Sequence, residues 1–410
     1  MTTAHAITAA ALANCLGTDG RTVLDRAFAG DDAFSPGGAF YELPFPTVLG
    51  VMPGIEARRG LRAADSVPDN ETSLDCIPTR LAMAALPSMR QIRPAVRDAV
   101  DRWGARRVAY VFASSTGGLD ETERALAPDP RLPLAGAGYR YTDHGVDATS
   151  QAIAHHLGVE GVAMAISTAC SSSFHALASA LRLIDRGLAD AAVVGSADSL
   201  CRTTVFGFHG LGLTAPTATR PFARDRAGIT LGEGSAYVLV ERDAPDTRRR
   251  ALTWIGGIGA ASDAFHHTSP HPEGLGGQLC MRQALERAGL SPGDIDFVSA
   301  HGTGTRLNDA AEAAAVRQVF GRRVPLTATK SLTGHTLGSA GLTALVLAIE
   351  SLRRQAIPAT LRATPLDEPL GVDVVDRRTA AELRHVLVNA FGFGGSNVSV
   401  VVSRPDARPS

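Results

Sequence analysis

The feature that most restricts the fold of this chain is a weak internal repeat. Residues 161–184 read GVAMAISTACSSSFHALASALRLI, and residues 323–350 read RVPLTATKSLTGHTLGSAGLTALVLAIE. Each is an apolar β-like run, a turn of small polar residues, and a helix whose apolar positions recur at three and four. A second pair follows in the same order, GEGSAYVLVERDAP (232–245) and GGSNVSVVVSRPDA (394–407), each a glycine-rich turn leading into a strand with a polar, proline-containing tail. Paired segments in one order predict duplicated halves, 1–249 and 250–410, with the seam at Arg248, Arg249 and Arg250. The length of 410 residues agrees, since it exceeds what one core usually organises. Runs such as RVAYVFAS (107–114), AAVVGSAD (191–198) and DFVSAHGTG (296–304) alternate with helical patterns, which predicts layered α/β architecture with helices on both sheet faces. Residues 30–75, rich in Gly, Pro and Asp, read as an irregular surface excursion.

Forty basic against 41 acidic residues leave a net charge of −1, so no global field favours nucleic acid or an anionic membrane. No uncharged apolar run approaches the roughly 20 residues needed to cross a bilayer. The Ala-rich start has no Lys or Arg before Arg21, which makes a poor secretory signal and points to a cytoplasmic protein. The cysteines, Cys15, Cys76, Cys170, Cys201 and Cys280, are odd in number and form no CxxC pair, so neither a disulfide framework nor a zinc knuckle is expected. Every basic residue is arginine except Lys330. The lone lysine is either a chance survivor of an arginine-rich coding bias or marks a position that needs a compact ammonium rather than a planar fork.

Chemistry concentrates in three turns. Cys170 follows a strand-like run and is flanked by small residues from Ala169 to Ser173, the pattern of a nucleophile elbow with a thiol at a helix N-terminus. Such a helix end is expected to lower the thiol pKa and favour attack on a thioester or ester. His301 opens HGTGTRLNDAAE and His335 sits in KSLTGHTLGSAG. Glycine-lined turns of this kind admit a substrate close to the backbone, and Thr303 and Thr305 offer hydroxyls to a polar arm.

TACSSS around Cys170, HGTGT at His301, KSLTGHTLGSAG across Lys330 and His335, and NAFGFGGSN at 389–397 resemble the four signatures of the β-ketoacyl-acyl-carrier-protein synthases. They stand in the family's order from about residue 105 to 403, with residues 1–104 matching loosely. The resemblance implies a thiolase-like fold, two similar α/β halves stacked as αβαβα. It implies an acyltransferase that condenses an acyl thioester with malonyl-acyl carrier protein by decarboxylation. Cys170 would accept the acyl group, and His301 and His335 would handle decarboxylation. Lys330 falls on the family's lysine and Glu312 on the carboxylate that pairs with it. Phe393 would supply an oxyanion-hole N–H beside that of Cys170 and, with Phe391, form a gate. Thr268 lies in the pantetheine-side loop, and Thr116 and Phe208 fall where the acyl pocket is walled. No cofactor or metal is implied, because substrates ride on the phosphopantetheine arm of acyl carrier protein.

The implied partners are acyl carrier protein and a second subunit, either a copy of this chain or a related ketosynthase or chain-length subunit. HGTGT in place of the commoner HGTST, and the short segment GLGLTAPTATRPF (210–222), resemble condensing enzymes of polyketide and polyene pathways more than primary fatty-acid enzymes. Competing readings are a non-catalytic chain-length partner, which the presence of Cys170 opposes, and a thiolase or Cys-His acyl hydrolase. A thiolase needs a second cysteine in its C-terminal glycine-rich motif, and no Cys follows Cys280. His266, His267 and His271 in AFHHTSPHPEG look superficially like metal ligands but match the pantetheine-side loop. GGIGAA (256–261) lacks the final glycine and acidic residue of a dinucleotide fingerprint and reads as a strand end. The arginines at 58–62 and 248–250 read as solvated faces that could meet an acidic carrier protein.

Overall fold

The computed structural model describes residues 5–55, 80–126, 144–321 and 324–408. Eleven strands form the main sheet. In chain order they are β1 (His5–Asn14), β2 (Val108–Ala113), β3 (Ala163–Ile166), β4 (Ala191–Asp198), β5 (Gly234–Glu241), β6 (Thr253–Ser262), β7 (Phe297–Ser299), β8 (Pro325–Thr327), β9 (Asp373–Val374), β10 (His385–Gly392) and β11 (Ser396–Ser403). Across the sheet the order is β9-β8-β7-β10-β11-β6-β1-β5-β4-β2-β3. The first five strands lie as β1-β5-β4-β2-β3, and β6, β7, β8, β10 and β11 repeat that path as β6-β11-β10-β7-β8. Pairing directions recur as well, antiparallel for the first two contacts and parallel for the next two in each half. The halves join where β1 and β6 pair antiparallel over three residues. The repeats read from sequence coincide with β3 and β8, each followed by a helix, and with β5 and β11.

Seven helices position these strands and the site: α1 (Arg80–Trp103), α2 (Val146–Leu157), α3 (Ser172–Asp185), α4 (Arg202–Gly210), α5 (Leu275–Ala288), α6 (Arg306–Phe320) and α7 (Ala340–Arg354). The middle layer holds α3 and α7, which touch each other and pack between the two halves of the sheet. Phe174, Leu177, Leu342 and Leu345 there meet Val194, Val238, Val388 and Val400. Strand periodicity sends the alternate residues outward. Val193, Tyr110 and Tyr237 pack under Ile92 and Val96 of α1, while Leu387 and Val401 pack under Met281 and Leu285 of α5. With both faces covered the strands read as near-continuous apolar runs. GGIGAA (256–261) makes up most of β6 and runs to one residue before its end at Ser262. A Cβ at Gly257 or Gly259 would fall 2.1 Å from Ala284 O or 2.0 Å from Cys280 O, so these glycines let α5 press on the strand. Within 30–55 the expected irregular excursion contains two short strands, Ser35–Pro36 and Val48–Gly50, the second paired with Leu231–Gly232.

One buried ion pair ties this excursion to the sheet. Arg80 and Glu233 are both fully buried and meet through Nε–Oε2 and Nη2–Oε1 contacts of 2.7 Å. Glu233 also accepts from the Met52 N–H at 2.8 Å and the Leu200 N–H at 3.3 Å. Removing one partner of such a pair leaves a charge in a dry site. Glu233→Gln should lower stability by about 3–5 kcal/mol, read as a drop in the urea unfolding midpoint, whereas Arg80→Met combined with Glu233→Leu should lose less. An unchanged midpoint in Glu233→Gln would show that the pair is not a stabilising anchor.

Candidate active site

Cys170 occupies the turn between β3 and α3. Ala169 takes φ 52°, a left-handed conformation uncommon outside glycine, and turns the chain sharply. Ser172 Oγ closes the turn, donating to Ala169 O (2.6 Å) and accepting from the Thr168 N–H (2.8 Å). The expected lowering of the thiol pKa by the helix end is not what the surroundings impose. Burial pushes the Cys170 thiol up to about 11, outweighing the pull of the Lys330 ammonium and of the Phe393 and Cys170 N–H groups, while Asp198 adds to the rise. Desolvation wins because Cys170 is only 6% exposed.

His301 follows β7, and His335 follows a single helical turn, Lys330–Thr333, after β8. The two loops approach closely because Gly302, with φ 44°, has no Cβ; one there would lie 2.5 Å from Ala328 Cβ. The imidazole centroids are 5.4 Å apart with ring planes at 84°. Cys170 Sγ and one nitrogen of each ring lie within 4.8 Å of one another.

The hydrogen bonds fix both tautomers. The Leu337 N–H donates to Nδ1 of His335 at 3.1 Å. Lys330 Nζ lies 3.2 Å from Nδ1 of His301 and donates to the His301 carbonyl at 2.5 Å. An ammonium only donates, so Nδ1 of His301 accepts. Each ring therefore carries its proton on Nε2. Burial, then the charge of Lys330, holds both histidines well below their ordinary pKa, with His335 adding a smaller effect on His301. Two neutral imidazoles thus border the sulfur. These three residues are the one group of His, Cys, Asp or Glu among the described residues close enough to hold a metal. A cation would need a lone pair from each imidazole, yet the Nδ1 lone pairs are occupied and the Nε2 atoms bear protons. The donor set does not suit a metal.

Glu312 and Lys330 are both buried in the site, but among the described residues they form no direct ion pair. The Glu312 carboxylate accepts from the His301 N–H and Gly302 N–H, both at 2.8 Å, and from Asn389 Nδ2 at 3.0 Å. It therefore holds the backbone of the His301 loop while Lys330 holds the ring. Burial lowers the Lys330 pKa to about 8, opposed by the charges of Glu312, Cys170 and Asp309, and burial raises that of Glu312.

The cavity over Cys170 is lined by Phe208, Thr268, Thr303, Thr305, Phe391 and Phe393, besides the two histidines. Phe208 packs on Phe393 at 5.5 Å between centroids, and Phe391 lies 6.0 Å from His301. Thr303 and Thr305 share a hydroxyl contact of 2.9 Å. Thr116 does not join them. Its N–H and hydroxyl both go to Asp198, at 2.9 and 2.7 Å, so the expectation that its side chain walls the acyl pocket has no support in the single chain. His266 serves the loop itself, its Nδ1 accepting from Thr268 and Ser269 N–H groups. Arg248, Arg249 and Arg250 pair with Asp243, Asp246 and Glu241, and the cluster at 58–62 and Cys76 lie outside the described residues.

Residues 64–245 match the family model for Beta-ketoacyl synthase, N-terminal domain, and residues 252–364 match Beta-ketoacyl synthase, C-terminal domain. The chain belongs to the β-ketoacyl synthase family. The 3-oxoacyl-[acyl-carrier-protein] synthase 2 of Vibrio cholerae is 32% identical over 74% of this chain and 78% of its own length. Nodulation protein E of Rhizobium meliloti is likewise 32% identical, over 79% of this chain and 81% of its own. A chain of the ketosynthase (ApeO)–chain length factor (ApeC) complex from Xenorhabdus doucetiae superposes with a TM-score of 0.88 and 33% identity, covering 98% of both chains. The ishigamide ketosynthase/chain length factor gives 0.84 at 27% identity, over 98% of this chain and 100% of that one. The thiolase-like architecture expected from the motifs is therefore the fold of this ketosynthase.

Two site residues escape a reading of the motifs alone. Asn389 opens NAFGFGGSN and fixes Glu312, its Oδ1 in turn accepting from Ser399 Oγ at 2.7 Å. Ser396, seven residues later, links Ser171 Oγ (3.1 Å) to His175 Nε2 (2.9 Å) and so ties the nucleophile turn to the Phe393 segment. A thiol raised to about 11 makes a prediction for this ketosynthase. Alkylation of Cys170 by iodoacetamide should climb about tenfold per pH unit between about pH 7 and 9, following the thiolate fraction. A plateau already reached at pH 7 would mean that the helix end, and not burial, governs the sulfur.

Proposed function

We propose that Cys170 carries the acyl group and that His301 and His335 stabilise the enolate formed when malonyl thioester loses CO2. The observation that carries this reading is that one nitrogen of each of two imidazoles, both held neutral by burial and the Lys330 charge, lies within 4.8 Å of one buried cysteine sulfur. In the first half-reaction the thiolate attacks the acyl thioester carbonyl, the N–H groups of Cys170 and Phe393 receive the oxyanion, and the carrier thiol departs. In the second, the C–C bond to the carboxylate breaks, CO2 leaves, and the electron pair moves onto the thioester as an enolate. An enolate oxygen needs hydrogen-bond donors placed before charge develops, and two imidazoles locked as donors meet that need without a proton transfer. The nucleophilic carbon then attacks the acyl-cysteine, and the sulfur leaves to regenerate Cys170.

The same tautomers weigh against a hydrolase, which would need a free imidazole lone pair to activate water. They suit decarboxylative condensation. By analogy with its relatives, the substrates arrive on acyl carrier protein, so no further cofactor is required. β3 is the last strand of the sheet among the described residues, and its run AMAI carries no charge. We assign this edge, shortly before Cys170, to a second ketosynthase-like subunit, since an uncharged sheet edge is usually covered. A chain-length subunit of the kind that accompanies ApeO is the favoured partner, with a polyketide or polyene product rather than a primary fatty acid.

Intact-mass analysis with acyl-carrier-protein thioesters tests the division of labour. Cys170→Ala should take no acyl group, whereas His301→Ala and His335→Ala should still load while condensation falls by at least about 10²-fold. Acyl transfer to Cys170→Ala at the wild-type rate would overturn the nucleophile assignment.

A further inference from the structure

Asp198 ends β4 and is fully buried. Its carboxylate accepts from six donors, one of which, the Ser115 N–H, reaches both oxygens. Ser114 Oγ (2.6 Å), Ser115 N–H (2.9 Å) and Oγ (2.8 Å), and Thr116 N–H (2.9 Å) and Oγ1 (2.7 Å) come from the turn after β2. The sixth donor, the Gly338 N–H at 2.5 Å, comes from the other half of the chain. All six are neutral. A buried carboxylate held this way is costly to assemble and orients whatever donates to it.

Gly338 stands three residues after His335, and the peptide between them is unusual. Leu337 takes φ 52°, which a leucine rarely adopts, and such a conformation persists only where its surroundings over-determine it. Here both ends are held. The Leu337 side chain is buried among Leu200, Val205, Ile229 and Leu231, and the next amide is captured by Asp198. The Leu337 N–H, one residue earlier, is the donor that occupies Nδ1 of His335. Gly338 also has to be glycine, since a Cβ there would sit 2.7 Å from Asp198 Oδ2 and 3.0 Å from Ser115 N. A second tie, Ser196 Oγ to Ser339 Oγ at 2.8 Å, runs from the same strand to the next residue.

We propose that Asp198 is a positioning residue for His335: by holding the Gly338 amide it keeps the strained Leu337 peptide turned so that its N–H fixes His335 as an Nε2–H donor. Among the described residues the carboxylate makes no hydrogen bond to the sulfur or to either imidazole, although its charge adds to the rise of the thiol pKa. It acts through two consecutive amides, and it couples the turn that carries Thr116 to the loop that carries His335. This inference rests on the assignment of His335 to enolate stabilisation.

Asp198→Asn tests it, because the amide keeps the shape and must turn an NH2 group toward donors. The expected result is a split. Acyl loading of Cys170 does not fall, since losing the Asp198 charge removes one of the influences that raise the thiol pKa, while malonyl decarboxylation and condensation lose about 10–100-fold in kcat, the usual effect of an outer-shell partner, with KM for the malonyl thioester little changed. Gly338→Ala displaces the same amide while leaving the carboxylate intact and should give the same split, so it decides the matter if Asp198→Asn does not fold. Loading and decarboxylation falling in parallel, or decarboxylation unchanged, would overturn the proposal. His335→Ala is the reference. If it decarboxylates like wild type, the reading of His335 fails; if it is inactive while Asp198→Asn and Gly338→Ala are not, only the role of Asp198 fails.

Discussion

The site depends first on one contact, the Lys330 ammonium pressed against the carbonyl and Nδ1 of His301. A group with three donors and no acceptor dictates the tautomer of the ring beside it, and its charge adds to the burial that keeps that ring neutral. An arginine would bring a planar fork where only a compact donor fits between loop and ring. The single lysine in a chain whose other basic residues are all arginine stands at this contact. Glu312 completes the arrangement from the opposite side, gripping the His301 and Gly302 amides while Asn389 holds Glu312.

The duplicated fold brings these parts together. Cys170 and the Lys330–His335 segment occupy equivalent places, after β3 and after β8, each leading into a middle-layer helix. His301 follows β7, and the Phe391–Phe393 segment spans the end of β10. All the chemistry therefore gathers at the carboxyl ends of strands in two related halves, where open α/β sheets place their ligands. The close approach of the middle helices and loops makes the site dry. Dryness raises the thiol pKa but also strengthens each donor aimed at a developing charge.

Much of this was legible in the sequence because it rests on local pattern. The strand, small-residue turn and helix around Cys170 require only periodicity and residue size, and the same unit recurs after β8. Contacts between distant segments were less legible. Lys330 and Glu312 attract each other on paper, yet the backbone path gives Glu312 the two amides of the His301 loop instead. Thr116, which the family resemblance places at a pocket wall, gives its hydroxyl to Asp198, 82 residues away on the adjacent strand, a bond that no local pattern announces. The thiol pKa turned on burial, a quantity that a helix-end argument does not contain.

The central claim is that His301 and His335 stand as neutral Nε2–H donors across the working pH range. Nitrogen-15 NMR of histidine-labelled protein, with the two signals assigned by loss in His301→Ala and His335→Ala, reads this directly. The account predicts that both rings show an unprotonated Nδ1 and a protonated Nε2, unchanged between about pH 6 and 8, because burial and Lys330 hold their pKa well below the ordinary range. A proton on Nδ1 of either ring, or titration of either within that window, would contradict it.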